Sequence, residues 1–305
     1  MSTSTFRAAV VRDPGGPDSI EIIDVPVREP GRGEVRVAVA AAAVNPVDLA
    51  VAAGLFHARG VIHQPDHTGL GWDFAGTVVA TGPDVDLAVG TRVAGLVDGF
   101  DRDHGSYAEQ LTVPVAKLAV VPDGLDLSTA STVPVNGLAA AGILDLLGDA
   151  TPGADRLLVT GAAGAVGGYL AVLAADRGWR VTGLARPADE EFVRGLGAAF
   201  VTHAEPGWDA VADCAVFQER ALALVRDGGT LVGVQPGNAP ATERGITVHT
   251  VVAGPDSTRL DDLLGRVAAG ELPARVHAAV PLDQVPDAHR AVAGGGVRGR
   301  YVIHP

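Results

Sequence analysis

Cysteine is almost absent from this chain of 305 residues: Cys214 stands alone, which excludes an intrachain disulfide framework and any zinc site built from several cysteines. Positive charge is scarce too. The 23 Lys and Arg face 36 Asp and Glu, a formal net charge of −13, and no basic run relieves it. Such a balance repels nucleic acid and anionic membranes, so neither is an expected partner. No apolar stretch is long enough to span a bilayer, and the opening Met-Ser-Thr-Ser-Thr-Phe-Arg lacks the apolar core of a signal peptide. A cytoplasmic location is the default expectation. What remains is a chain of 47% hydrophobic and 19% charged residues, compositionally a compact globular protein with length for two domains.

The most informative stretch that is present runs Arg-Leu-Leu-Val-Thr-Gly-Ala-Ala-Gly-Ala-Val-Gly-Gly, from Arg156 to Gly168. Leu157, Leu158 and Val159 make a short apolar strand, Gly161, Gly164 and Gly167 recur at every third residue, and Ala165 to Ala175 has helix-forming composition. Strand, glycine turn and helix in that order bring backbone N–H groups against pyrophosphate oxygens at a helix N-terminus, where the dipole favours negative charge. Thr160, Gly161, Ala163, Gly164, Ala165, Val166 and Gly167 are therefore candidate coenzyme-binding residues. A second strand, Arg180 to Ala185, follows at the distance a βαβ unit requires. Its end offers Ala185-Arg186-Pro187, where an Asp or Glu would bind the ribose hydroxyls of NAD. Arg186 suits a 2′-phosphate and points to NADPH; the plainer reading is a solvated arginine at a strand end. No Lys follows Gly167 to make an NTPase loop, and none of Tyr107, Tyr169 and Tyr301 has the lysine four residues on that a short-chain dehydrogenase needs. A methyltransferase stays open from the loop alone.

The first third of the chain argues against that last reading. Strands are expected at Phe6 to Val11, Ile20 to Val25, Glu34 to Ala43, Gly76 to Thr81, Arg92 to Leu96, Ser106 to Val113 and Leu118 to Val121. An irregular stretch lies between Asn45 and Gly71. From about Ser128 the pattern alternates. A helix from Ser128 to Leu147 precedes strands at 156–160, 180–185, 199–202, 210–215, 230–234 and 246–252, the signature of a parallel sheet with crossover helices. After a helix from Leu260 to Ala269, the chain returns to the first domain through Arg275 to Pro281, a helix near Asp283 to Ala293 and a last strand, Arg300 to His304.

Several separated stretches now carry a resemblance. Ala43-Val44-Asn45-Pro46-Val47-Asp48, Gly71-Trp72-Asp73-Phe74-Ala75-Gly76 running on to Gly82, Gly105-Ser106-Tyr107-Ala108-Glu109 and Pro122-Asp123-Gly124-Leu125 together resemble the medium-chain dehydrogenase/reductase superfamily, in its zinc-free quinone oxidoreductase branch. The resemblance implies an α/β fold: a GroES-like β-rich catalytic domain, 1–127 completed by 271–305, and a Rossmann doubly wound parallel-sheet domain, 128–270, that binds NADP(H). Zinc members place a cysteine ligand where Asn45 stands and a histidine ligand where Trp72 stands, so no metal is expected. His57, His63 and His67 cluster in the irregular stretch, but loop histidines of this kind more often hydrogen-bond or face solvent.

Without a Lewis acid, alcohol oxidation is hard, whereas hydride addition to a quinone or an enone is easier because the charge delocalises. The resemblance therefore implies an NADPH-dependent reductase of such small molecules, with the active site between two lobes and a homodimer as its usual assembly. A dedicated enoyl reductase of a lipid or polyketide pathway, or a protein that binds NADPH without turnover, remains an alternative. Asn45 is the candidate catalytic donor to a substrate carbonyl or a coenzyme hydroxyl, against a plain turn Asn before Pro46. Asp48 either steers Asn45 or a water, or caps a helix over Leu49 to Ala53. Thr132 or Asn136 is expected to replace a threonine contact that the resembling helix lacks at Asn136-Gly137-Leu138-Ala139. Val234 and Gln235, at the carboxyl edge of the fifth strand, complete the coenzyme set. Trp72 reads as packing, Cys214 as a small core residue, and Asp213 as either a cofactor-facing acid or a turn partner.

Overall fold

The computed structural model describes residues 4–305; the first three, on which the absence of an apolar leader partly rests, lie outside them. The strands and helices follow in chain order as β1 (Thr5–Val11), β2 (Ile20–Pro26), β3 (Glu34–Ala43), α1 (Pro46–Ala52), α2 (Leu55–Ala58), β4 (Thr68–Gly69), β5 (Asp73–Thr81), β6 (Arg92–Leu96), β7 (Gln110–Pro114), β8 (Leu118–Val120), α3 (Leu127–Ser131) and α4 (Pro134–Leu147). The alternating part continues with β9 (Arg156–Thr160), α5 (Ala165–Asp176), β10 (Arg180–Leu184), α6 (Glu190–Gly195), β11 (Ala199–Val201), β12 (Trp208–Asp213), α7 (Glu219–Leu222), β13 (Val225–Gly233) and β14 (Thr247–Thr250). The last elements are α8 (Ser257–Ala268), β15 (Val276–Pro281), α9 (Val285–Ala293) and β16 (Arg300–His304).

These elements form two compact units. The first holds the described residues through Val135 together with Pro255–Ala268 and Ala274–Pro305; the second holds Asn136–Gly254 and Ala269–Pro273. Unit 1 carries a three-stranded sheet in the order β2-β1-β4 and a seven-stranded one in the order β15-β16-β3-β5-β6-β8, with β7 added to β3. Period-2 patterning explains β3: Val35, Val37 and Val39 point into the core, while Arg36 and Ala38 are half-buried. Unit 2 carries six parallel strands in the order β11-β10-β9-β12-β13-β14, the doubly wound arrangement. Its central β9 is covered on both faces, so Leu157, Leu158 and Val159 are all fully buried.

Local chemistry accounts for the departures from the sequence reading. The helix expected from Ser128 to Leu147 is broken into α3 and α4, because Pro134 lacks an N–H and disfavours helical geometry at Val133. Asp126 caps α3, its Oδ1 accepting from the Thr129 N–H at 2.9 Å. The stretch read as irregular after Asn45 contains α1, α2 and β4. Helix α8 belongs to unit 1, where Leu260, Leu263, Leu264 and Val267 bury one face. Among the described residues no helix is long and apolar enough to cross a membrane.

Candidate active site

In unit 1 the site is built where β3 hands over to α1. Asn45 is extended (φ −116°, ψ 156°) and is the N-cap of α1, with Pro46 at the first helical position. Asp48 therefore lies inside the first turn and is not a cap for a helix starting at Leu49. Its Oδ2 accepts the Asn45 backbone N–H at 2.8 Å, the acid half of a capping box. The Asn45 Nδ2 donates to Asp73 Oδ2 at 2.8 Å and leans towards the Ala43 carbonyl at 3.4 Å. Asp73 opens β5, and its other oxygen accepts the Val135 N–H at 2.7 Å. Asn45, Asp48 and Asp73 are all buried.

Removing carboxyls from water disfavours their charge. Burial pushes Asp48 up to about 6, against the pull of the Asn45 N–H and the Arg102 charge. It pushes Asp73 up to about 8, against donation from Asn45 and Val135. The Tyr107 hydroxyl stands against Asp48 without closing a hydrogen bond of good geometry, and Asp48 Oδ1 has no partner either. The ring of the buried His289 meets Tyr107 edge-on at 5.8 Å; both its nitrogens lack partners, and burial lowers its pKa to about 4. Arg102 donates to the carbonyls of Val97, Gly99 and Gly71 at 2.6–2.9 Å and lies over the Trp72 ring at 5.2 Å. Phe100 meets Trp72 at 5.1 Å and stacks on Phe56 at 3.9 Å. Sequence reading missed Arg102, His289 and the Asp73 contact to Asn45. Asp73 stands in the Gly71-Trp72-Asp73 stretch and His289 in the similar C-terminal stretch from His289-Arg290 to Gly299-Arg300, but neither spacing points to the site, and only the fold brings Asp73 to Asn45.

Thr132 closes α3 in the same unit, and its hydroxyl donates to the Thr129 carbonyl at 2.8 Å. His57 meets Thr68 Oγ1 at 2.9 Å, and among the described residues no group of three His, Cys, Asp or Glu is arranged to hold a metal.

In unit 2 the other candidates gather at the carboxyl edge of the sheet. Thr160 ends β9, in register with Leu184 on one side and Asp213 on the other, and Asp213 pairs with Gly233. This brings Gly161, Ala185-Arg186 and Val234-Gln235 to one edge. Gly161 takes φ 61°, and a Cβ on Gly167 would come within 2.4 Å of the Gly161 carbonyl oxygen, so the turn admits no side chain at either place. Gly164 caps α5, leaving Ala165, Val166 and Gly167 in the first turn, where N–H groups lack intrahelical partners. Ala163 is buried beneath the turn. Thr160 braces the edge: its hydroxyl donates to Asp213 Oδ1 at 2.7 Å and accepts the Ala215 N–H at 3.0 Å. Asp213 also accepts the Gln218 N–H at 2.8 Å, and the Gln218 side chain donates to Gln235 Oε1 at 2.8 Å. Asp213, Gln218, Val234 and Gln235 line a small hollow at this edge. Arg186 is exposed and, among the described residues, pairs with no carboxylate. Cys214 lies just past the end of β12 and is half-buried, outside the core strand expected to hold it, and desolvation still raises its thiol pKa.

Comparison with known proteins adds to this geometry. An alcohol dehydrogenase GroES-like domain matches residues 31–123, and a zinc-binding dehydrogenase model matches residues 188–303. A quinone oxidoreductase of Pseudomonas aeruginosa is 25% identical over 325 residues, 95% of this chain and 97% of that protein. The trans-enoyl reductase thnE of Trichoderma harzianum is 31% identical over 249 residues, 70% of this chain and 65% of that protein. The solved quinone oxidoreductase of Coxiella burnetii shares the fold, with a TM-score of 0.87 at 23% identity over 99% of this chain and 100% of that one. Two matching polyketide synthases of Streptomyces are far longer: the chain spans 4% and 6% of their lengths.

Proposed function

The chain belongs to the medium-chain dehydrogenase/reductase superfamily, in its quinone oxidoreductase-like branch, and from that premise we propose that it is an NADPH-dependent reductase of quinones or enones that works without zinc. The carrying observation is the edge of unit 2, where a glycine turn with no room for a side chain at Gly161 or Gly167 opens a helix and adjoins an exposed arginine that, among the described residues, has no ion-pair partner. A dinucleotide fits these residues. Gly161 to Gly167 offer backbone N–H groups to the pyrophosphate, Ala185 and Arg186 meet the ribose and its 2′-phosphate, and Val234 and Gln235 meet the nicotinamide amide. Bound there, the reduced coenzyme supplies a hydride. Thr160 acts through Asp213 to hold the edge rigid, because its own hydrogen is committed.

The Asn45 amide donates to Asp73 and to the Ala43 carbonyl, and its role in the proposal is to turn towards the acceptor's carbonyl oxygen or a coenzyme hydroxyl when these bind. Asp73 fixes the amide's orientation and Asp48 fixes its backbone. The proton that completes the product comes from solvent. Catalytic zinc does not fit the donor set: Asn45 and Trp72 supply no thiolate, imidazole or carboxylate, and Asn45 is already bonded to Asp73.

NADPH oxidation against a panel of quinones, enones and acyl thioesters tests this reading, which fails if nothing is reduced. Arg186→Ala should weaken NADPH roughly 10- to 100-fold while changing NADH by less than about 2-fold, as loss of a charge-assisted contact implies; equal effects would reject the phosphate role. Elemental analysis should find no stoichiometric zinc. The similarity to a trans-enoyl reductase favours a second reading, a dedicated enoyl reductase. Turnover confined to acyl thioesters would select it.

A further inference from the structure

The three tryptophans of this chain are all buried, but their indole N–H groups are not treated alike. Trp179 Nε1 donates to the Gly148 carbonyl at 3.0 Å and Trp208 Nε1 donates to the Glu205 carbonyl at 2.9 Å. Trp72, only 6% exposed, has no acceptor for its Nε1. Buried indoles ordinarily find a partner, and an unpaired buried donor is disfavoured, so this one calls for an acceptor that the chain itself does not provide.

Its surroundings say what kind. The nearest carboxylate along the chain, Asp73, is already engaged by Asn45 and Val135. The Trp72 carbonyl is tied down by the Val97 N–H at 2.8 Å. Arg102, bonded to three backbone carbonyls, holds its guanidinium over the indole face. A cation over the ring draws electron density from it and makes the N–H a stronger donor. Phe100 and Phe56, both half-buried, extend the apolar surface from Trp72 outward. A fixed, polarised donor beside flat apolar walls suits a planar molecule bearing one carbonyl oxygen.

We infer that Trp72 is a catalytic residue whose Nε1–H donates to the carbonyl oxygen of the acceptor. This deepens the reductase reading and rests on it. When hydride adds to the β-carbon of an enone, the carbon–carbon π pair moves to the α-carbon and the carbonyl, and negative charge gathers on the oxygen. A proton from solvent then completes the saturated ketone. A donor held in place before the charge forms needs little reorganisation, so it would act more on the transition state than on the bound acceptor.

Two measurements test the assignment. With 2-cyclohexenone and NADPH, Trp72→Phe, which keeps an aromatic ring and removes the N–H, should lower kcat roughly 10- to 100-fold, at or below the range for loss of one oxyanion donor. The affinity for NADPH, read by calorimetry, should not change. In the wild-type protein labelled with ¹⁵N, the Trp72 indole cross-peak should move when unreactive cyclohexanone is added in the presence of NADP⁺, while those of Trp179 and Trp208 stay in place. An unmoved Trp72 cross-peak, or an unchanged kcat in a folded Trp72→Phe, overturns the assignment. If the wild-type enzyme reduces no acceptor, the reductase reading fails, and the cross-peak still decides whether Trp72 binds a carbonyl.

Discussion

The two units build their candidate sites by opposite means. Unit 1 buries the ionisable side chains of Asp48, Asp73 and His289, half-buries Arg102 beside them, and leaves some of their polar atoms without partners. Unit 2 uses backbone and neutral donors: Asp213 is satisfied by the Thr160 hydroxyl and the Gln218 N–H, and the glycine turn presents only main chain. The cost in unit 1 is electrostatic, whereas in unit 2 it is conformational, at Val216 (φ 58°) and Gln218 (φ 57°). The lesson is that unit 1 is shaped by desolvation, which pushes its buried carboxyls and imidazole towards their neutral forms. Unit 2 is shaped by the dihedral angles of its turns.

The sharpest way to break this contrast is Asp73→Ala. It removes the hydrogen bonds that Asp73 makes with the Asn45 amide and the Val135 N–H in a dry interior, at about 1–3 kcal/mol each, so unfolding free energy should fall by about 2–6 kcal/mol. Urea denaturation measures it. A loss below about 1 kcal/mol would mean that water reaches these groups and that the site is not dry.

Stability against pH comes next. Asp48 keeps its proton in the folded state up to about pH 6, whereas the unfolded chain releases it near 3.8, so rising pH through that window favours unfolding. His289 has the reverse sign. The unfolded chain takes up a proton below about 6.5 and the folded one resists until about pH 4, so stability falls as pH drops between them. Each shift corresponds to roughly 3 kcal/mol at most. Melting profiles should show Asp48→Asn gaining on the wild type as pH rises from 4 to 7, and His289→Gln gaining on it as pH falls from 7 to 4. Parallel profiles would show that burial does not control these groups.

In unit 2, Gly167→Ala should cost about 1–3 kcal/mol of stability through overpacking, since its Cβ would meet the Gly161 carbonyl at 2.4 Å. Coenzyme affinity should fall at least roughly 10-fold by calorimetry, because the turn must shift from the phosphate. Unchanged affinity would detach the turn from the coenzyme.

How far each site can be read from sequence follows the same division. The glycine turn, its flanking strand and helix, and the six-strand alternation are legible because they rest on local spacing, and the register then carries Arg186 and Gln235 to the edge that their positions imply. The strand ends at β12 and β13 are less so: β12 runs Trp208–Asp213 where 210–215 is expected, and β13 begins at Val225, before the expected 230, with a register shift between Trp208 and Ala210. In unit 1, Asn45 is legible from its motif, but its orientation is not. That depends on Asp73, 28 residues on, and the orphaned Tyr107, His289 and Trp72 atoms become visible only when folding removes water. Pro134 is a local signal that splits the helix expected from Ser128 to Leu147.

The finest test lies in the strained segment after β12. Val216 is a β-branched residue at φ 58°, a conformation that costs a non-glycine residue about 1–2 kcal/mol. It is 43% exposed, so its side chain returns little by burial. Val216→Gly should remove the strain and lose about 0.5–1 kcal/mol to unfolded-state entropy, for a net gain near 0.5–1 kcal/mol and a rise in Tm of about 1–3 °C. Gln218→Gly relieves a similar dihedral but gives up the hydrogen bond to Gln235, and it should show no gain. If Val216→Gly also fails to stabilise, the hollow lined by Asp213 and Gln235 is held by side-chain packing and not by backbone strain, and the two units differ less than their dihedral angles imply.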